Sequence, residues 1–241
     1  EIAYNRAVYD AEINFVDDQI GRVLAYMRSS GLEKRTIIVF TADHGEQFYE
    51  HGQRLHSKTL YHEETNVPLI IQAPGYEPRV VKQRVRALDL YLTLPALAGI
   101  LPEQSGGEAP GAMRKQAMGD SLVPLMAGEA MPPSYENETF SSLDMDGVKK
   151  EAFYRGDWKL IRNIARGDDL PRPPVELYHL SEDPGEKVDL APRLPARRDR
   201  LASLLEIRRR AMAARAVAKV EQKPLEQSEI EKLKALGYIQ Q

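Results

Sequence analysis

The sequence predicts an α/β fold: a mostly parallel sheet with flanking helices over residues 1–134, then a small antiparallel sheet with a packed helix over 135–218. A linker and a terminal short helix complete the expected organisation over 219–241. Three observations carry this reading. Thr36-Ile-Ile-Val-Phe-Thr41 and Val67-Pro-Leu-Ile-Ile-Gln-Ala73 are apolar runs of strand length without polar alternation, the pattern of strands buried on both faces. Helix-periodic segments flank them, a βαβ-like alternation that favours a parallel sheet. Beyond residue 134, four short β-rich segments follow in series, and Gly156-Asp157 separates two of them as a two-residue hairpin turn.

Each element follows from its residues. Val8, Ile13, Val16, Ile20, Val23, Leu24 and Met27 recur at helical spacing over 6–28, and Gly31 supplies the stop. The strand at 36–41 leads into a polar loop running to about residue 58. A short helix is expected at 59–65 and a second strand at 67–73, closed by Pro74-Gly75. Val80 to Val85 reads as a short edge strand. Asp89 stands at an N-cap position ahead of Leu90, Leu94, Leu97 and Ala98. Residues 102–134, rich in Gly, Pro, Glu and Met, read as a surface excursion. The antiparallel sheet is assigned to 138–142, 150–155, 158–162 and 176–180, with Trp158 in its core. The helix at 194–218 carries Arg197, Arg198, Arg200, Arg208, Arg209 and Arg210. That is a solvated face rather than a nucleic-acid surface, because no aromatics interleave with the charges.

Composition narrows the function classes. A net charge of −3 and a pI near 6.0 give no electrostatic case for nucleic acid or a membrane surface. The absence of cysteine removes disulfides and thiolate metal sites. No apolar run approaches the roughly 20 residues needed to span a bilayer. The chain opens on Glu1, inside an expected helix, so the lack of a visible signal peptide carries no weight.

The chemistry concentrates where the first apolar run ends, at Asp43-His44-Gly45. Ligands in open α/β sheets bind beyond the carboxyl ends of the strands. Asp43 and His44 would stand there as adjacent metal-binding side chains, with Gly45 letting the backbone turn. The alternative is a turn that merely ends a strand. Downstream, His56 and Lys58 alternate on one side of a loop. An ammonium can neutralise an anionic ester as a point charge, and an imidazole can protonate a leaving oxygen.

Thr41-Ala-Asp43-His44-Gly45-Glu46, then His56-Ser-Lys58-Thr-Leu60-Tyr61-His-Glu63-Glu64, then Val67-Pro-Leu-Ile-Ile resembles, in that order, the C-terminal half of a type I sulfatase of the alkaline phosphatase superfamily. Tyr9-Asp10-Ala-Glu12 through Gly21 resembles the helix before the metal strand, and Leu88 through Ile100 the helix after it. Glu176-Leu-Tyr178 with Asp183-Pro184-Gly-Glu186 resembles the family's C-terminal signature, and Leu236-Gly237-Tyr238-Ile239 a tail of bacterial members. The resemblance implies an alkaline-phosphatase-like sheet and hydrolysis of a carbohydrate or aryl sulfate ester. It also implies a formylglycine nucleophile and a paired acid motif, both expected in an N-terminal half that precedes Glu1. Asp43 and His44 match the second metal pair, with His44 either ligating the ion or donating to a sulfate oxygen. Lys58 matches the sulfate-contacting lysine, and His56 is the partner proton donor.

The resemblance makes Ca²⁺ the first expectation for the divalent ion, with Mn²⁺ or Zn²⁺ as alternatives because an imidazole is present. It places the protein in the periplasm or outside the cell. Glu46 is expected to orient the metal loop. His51 reads as a loop residue, His62 as surface, His179 as structural, and Asp183-Pro184 with Glu186 as a turn valued for geometry. The chain alone is expected not to hydrolyse sulfate esters. Two other readings stand beside this one: a phosphodiesterase or phosphonate monoester hydrolase of the same superfamily, and a non-catalytic sulfated-glycan-binding module.

Overall fold

The computed structural model describes residues 1–100, 119–131, 138–165, 172–215 and 227–235. The expected linker, the Leu236–Ile239 tail and most of the 102–134 excursion lie outside the described residues. The elements are α1 (Ile2–Ser29), β1 (Ile38–Thr41), β2 (Gln47–Phe48), β3 (Arg54–Leu55), α2 (His62–Thr65), β4 (Leu69–Gln72) and α3 (Leu90–Leu97). They continue with α4 (Val123–Ala127), β5 (Glu138–Met145), β6 (Val148–Arg155), β7 (Trp158–Ala165), β8 (Val175–His179), α5 (Pro195–Arg215) and α6 (Gln227–Ala235). Gly31, at φ 72, ends the first helical segment as its position suggested.

The two apolar runs do pair, but not as expected. β1 and β4 run antiparallel, with Val39 opposite Ile71, and among the described residues no parallel pair occurs. An apolar run encodes burial on both faces and says nothing about a neighbour's direction. Direction follows the connection, here a loop and one helical turn that bring the chain back beside itself. The faces of this pair are open: Phe40 and Ile70 are exposed. α1 buries no residue, and Tyr4, Phe15 and Tyr26 are each at least 65% exposed along it.

Two smaller expectations are also corrected. Val80 to Val85 forms no strand, and Val80 and Val81 are exposed. Asp89 does not cap α3 with its side chain. It ends a 3₁₀ turn, fully buried, and accepts hydrogen bonds from Arg86 Nε (3.0 Å), Arg86 Nη2 (2.7 Å) and the Asp120 amide (2.9 Å).

β5 to β8 form an antiparallel meander. Alternation along the strands divides its side chains between two cores. Phe153, Leu160 and Leu177 pack with Leu201 and Leu205 of α5. Ala152, Tyr154, Ile161 and Tyr178 pack with Leu60 and Tyr61 from the loop after β3. The sheet is thus a platform on which that loop rests. Trp158 is partly buried at the edge of the first core, between His179 (ring centroids 4.4 Å apart) and Arg197 (4.3 Å).

Polar groups reinforce the contact between loop and sheet. Lys159 and Glu186 are fully buried and pair at 2.5 Å, and Glu186 Oε2 accepts the His62 amide at 2.6 Å. Glu186 is therefore more than a turn residue, because it is the buried counter-ion of Lys159. Glu176 accepts from the Tyr61 and Tyr178 hydroxyls (2.5 and 2.6 Å), while Arg172 donates to Tyr61 Oη (2.6 Å) and the His51 carbonyl (2.8 Å). Burial and the Glu176 charge push both phenol pKa values well up, so both remain neutral donors.

Removing one partner of a buried ion pair leaves the other charge uncompensated. Lys159→Met is expected to lower stability by about 3–5 kcal/mol. Lys159→Met/Glu186→Gln should recover part of that loss, and urea denaturation of both variants in the full-length protein checks it.

Candidate active site

The chain leaves β1 at Thr41 and bends at once. Asp43 Oδ1 accepts the His44 amide at 2.9 Å, a local turn that fixes both side chains. His44 Nδ1 faces the Gly45 carbonyl at 2.9 Å, so Nδ1 carries the proton and Nε2 presents its lone pair. Nε2 lies 3.6 Å from Asp43 Oδ2. A ring nitrogen and a carboxylate oxygen converge at the strand tip, and a backbone carbonyl orients the ring, as in histidines that bind metals. This donor set fits a divalent ion.

Gly45 serves a purpose other than the expected turn. Its amide donates to the Glu64 carbonyl at 2.9 Å, and a Cβ here would stand 2.0 Å from the Glu63 carbonyl oxygen. The requirement is close approach of two backbones.

The His56 ring lies against His44, centroids 4.3 Å apart. His56 Nδ1 is 3.2 Å from Glu46 Oε2, and both side chains are 19% exposed. Glu46 therefore orients His56, where the sequence suggested the metal loop. Leu55 (φ 67) and Ser57 (φ 64) on either side of His56 occupy the left-handed region, as does Tyr49 (φ 66). Non-glycine residues in that region carry local strain that the surroundings must hold in place.

Those surroundings centre on Glu64, buried in α2. Its carboxylate accepts from the amides of Ser57 (2.8 Å) and Thr59 (2.9 Å), from Thr59 Oγ1 (2.8 Å) and from Gln47 Nε2. Burial pushes its pKa up, and the hydrogen bonds from Thr59, Ser57 and the Lys58 amide oppose that rise. Lys58 is thus held by its backbone at mid-loop, half-buried.

The remaining histidines differ in role. His51 is not a simple loop residue. Its ring stacks on Tyr61 at 3.6 Å, with Nδ1 2.6 Å from Glu63 Oε1 and Nε2 2.9 Å from the Glu186 carbonyl. Burial raises the Glu63 pKa, but the His51 hydrogen bond and nearby charges outweigh it and hold the carboxyl below its usual range. His62 is half-exposed, with Nδ1 3.3 Å from Glu63 Oε2 and 3.7 Å from Glu186 Oε2. His62, Glu63 and Glu186 together could hold an ion. Both carboxylates, however, are already committed to His51 and Lys159, and the group ties α2 to the sheet. His179 packs on Trp158 as a structural residue.

The structure therefore brings Asp43, His44 and His56 together and adds Glu46. Lys58 has no ion pair among the described residues. Glu46 was expected in the site but orients His56, and Glu64 is the group whose part in the site the sequence reading missed. Its signal was an acid, in a Glu-Glu pair, ahead of a Val-Pro strand.

Residues 3–100 match the sulfatase family model. The chain belongs to the sulfatase family. It is 30% identical over 200 residues to arylsulfatase K of Danio rerio, covering 81% of this chain and 35% of that protein. Choline-sulfatase of Rhizobium meliloti (strain 1021) is 31% identical, with 78% and 35% covered. Among solved structures, a putative sulfatase from Bacteroides thetaiotaomicron VPI-5482 superposes with a TM-score of 0.65 at 27% identity, covering 87% of this chain and 44% of that one. A protein solved in complex with its substrate D-glucosamine-2-N,6-O-disulfate gives 0.63 at 25% identity, with 81% and 38% covered. The chain spans about 35% of the length of the curated relatives it matches.

If Glu64 holds the loop, Glu64→Ala leaves several inward-facing donors without an acceptor. The expected cost is about 1–3 kcal/mol. Amide hydrogen exchange at residues 57–59 should quicken well beyond that of β6 and β7.

Proposed function

We propose that this chain is the C-terminal part of a sulfuric ester hydrolase and supplies half of its metal site and its proton donor. The observation that carries the reading is the convergence of Asp43 Oδ2 and His44 Nε2 beside the Glu46–His56 pair, in a chain of this family. The open apolar faces of α1, β1 and β4 support further chain packing there, since contiguous apolar surface of this kind marks an interface. The preceding part of the protein would contribute the remaining acids and the formylglycine nucleophile. A periplasmic or extracellular address goes with this reading.

Asp43 and His44 would hold the divalent ion, which when bound polarises the sulfuryl oxygens as a Lewis acid. Ca²⁺ is the first expectation, and the nitrogen donor also suits Mn²⁺ or Zn²⁺. Lys58 meets the negative charge of the sulfuryl group. His56, oriented through Nδ1 by Glu46, hands a proton from Nε2 to the departing alkoxide or phenoxide oxygen. The Glu46 carboxylate holds the ring in the productive tautomer, the same service that an acid gives a catalytic histidine elsewhere. The relatives include proteins named for aryl and choline sulfates and one solved with a sulfated glucosamine, so a carbohydrate or aryl sulfate is the substrate class proposed.

A phosphoryl-transfer relative would present the same Asp–His pair, and His44 is the residue that favours it. Comparing turnover of an aryl sulfate with that of an aryl phosphate by the full-length protein separates the two.

Asp43→Ala and Lys58→Ala should fail differently. Asp43→Ala is expected to lose bound metal and activity together. Lys58→Ala should keep its metal and lose about 10²–10³ in rate, the usual effect of deleting one preorganised charge. Elemental analysis beside kinetics decides this. If Lys58→Ala is almost fully active with metal bound, Lys58 is an ordinary loop residue.

A further inference from the structure

Arginines are the most abundant charged groups of α5, and the structure sorts them into two sets. Arg198 pairs with Asp199 (2.8 Å), Arg208 with Glu138 (2.6 Å), and Arg209 and Arg210 with Glu206 (2.9 and 3.0 Å). Those two guanidinium groups pull the Glu206 carboxyl down to about 2. Arg197 and Arg200, and Arg193 just before the helix, have no carboxylate partner among the described residues. These three line a groove of about 840 Å³ between the start of α5 and the β6–β7 turn. Arg155 joins them from the strand side, 3.4 Å from Glu138, and no acidic side chain lines the groove.

We infer that this groove binds anionic groups of a sulfated polysaccharide, away from the hydrolytic centre. The inference rests on the sulfatase reading for the identity of the polymer. Arg197 is held in advance by stacking on Trp158, which reduces the entropy lost when it grips an anion. A planar guanidinium matches the paired oxygens of a sulfate or carboxylate in a bidentate hydrogen bond. Arginines without carboxylate partners gathered at one open groove suit an anion repeated along a polymer better than a single small ion.

Single-stranded nucleic acid is disfavoured because it needs free aromatic faces for its bases. Trp158 is flanked by Arg197 and His179, and offers none. Nothing in the groove fits a role in bond cleavage, so it would hold the polymer while another stretch of it is processed.

The test compares the full-length protein with Arg193→Gln/Arg197→Gln/Arg200→Gln, in which the side-chain stems remain and the charges go. The probes are dextran sulfate, neutral dextran of the same length and single-stranded DNA, with affinity read by titration calorimetry at fixed ionic strength. The parent should bind dextran sulfate, and the variant should bind it roughly tenfold or more weakly, with a shallower salt dependence. Turnover of a small aryl sulfate should be unchanged. Equal affinity of parent and variant, no binding by the parent, or DNA bound as tightly as dextran sulfate each overturns the proposal. Arginine-dependent binding of dextran sulfate without any aryl sulfate turnover would leave the groove standing and remove the sulfatase reading instead.

Discussion

The candidate site depends on one buried carboxylate. Glu64 gathers the amides of Ser57 and Thr59, a threonine hydroxyl and the Gln47 amide onto two oxygens. A carboxylate buried at this depth is costly unless its lone pairs are filled, so the loop must wrap it. In wrapping it the loop holds its backbone at Ser57 and Thr59, on either side of Lys58 and just past His56. The left-handed backbone at Leu55 and Ser57 is the strain accepted to close the loop. Glu63 and Glu64 also anchor the Asp43-His44-Gly45 turn, because the Glu63 carbonyl lies close against Gly45 and the Glu64 carbonyl accepts its amide. The His-x-Lys loop and the Asp-His-Gly turn are thereby fixed to one short helix, α2.

α2 in turn is fixed to the antiparallel sheet. Leu60 and Tyr61 enter the core on one sheet face, and Glu186 reaches from beyond β8 to the His62 amide while neutralising Lys159 from β7. His51 closes the ring through Glu63 and the Glu186 carbonyl. The small sheet thus supports the chemistry without contributing a reacting group. Its two faces do different work, one packed by α5 and the other by the site loop. Residues more than 100 positions apart in sequence become one rigid mount.

Exposure along the first 72 residues has the opposite character. α1, Phe40 and Ile70 present apolar side chains outward, while the sheet at 138–179 is well covered. The relatives are nearly three times as long as the matched stretch, and the bare faces lie on the side of the chain nearest the metal turn in sequence. The proposed metal donors Asp43 and His44 and the exposed apolar side chains of α1, β1 and β4 therefore belong to the same region.

The sequence alone determined most of the longer elements, the position of Asp43 and His44 just past a strand, and the sulfatase resemblance, because these are written in local pattern: apolar runs, helical spacing and contiguous motifs. Helix α1, the Gly156-Asp157 hairpin and the strands within 36–41 and 67–73 all follow from such patterns. Three features belonged to the tertiary structure. The antiparallel sense of β1 and β4 depends on how the connecting loop folds back, which no strand's composition encodes. The tautomer of His44 depends on where the Gly45 carbonyl points. The burial of His51 and Glu186, read in sequence as loop and turn, depends on partners contributed by Glu63 and Lys159. Polar residues in irregular segments look alike in sequence, and only their partners, brought together across long separations, decide which of them are buried and functional.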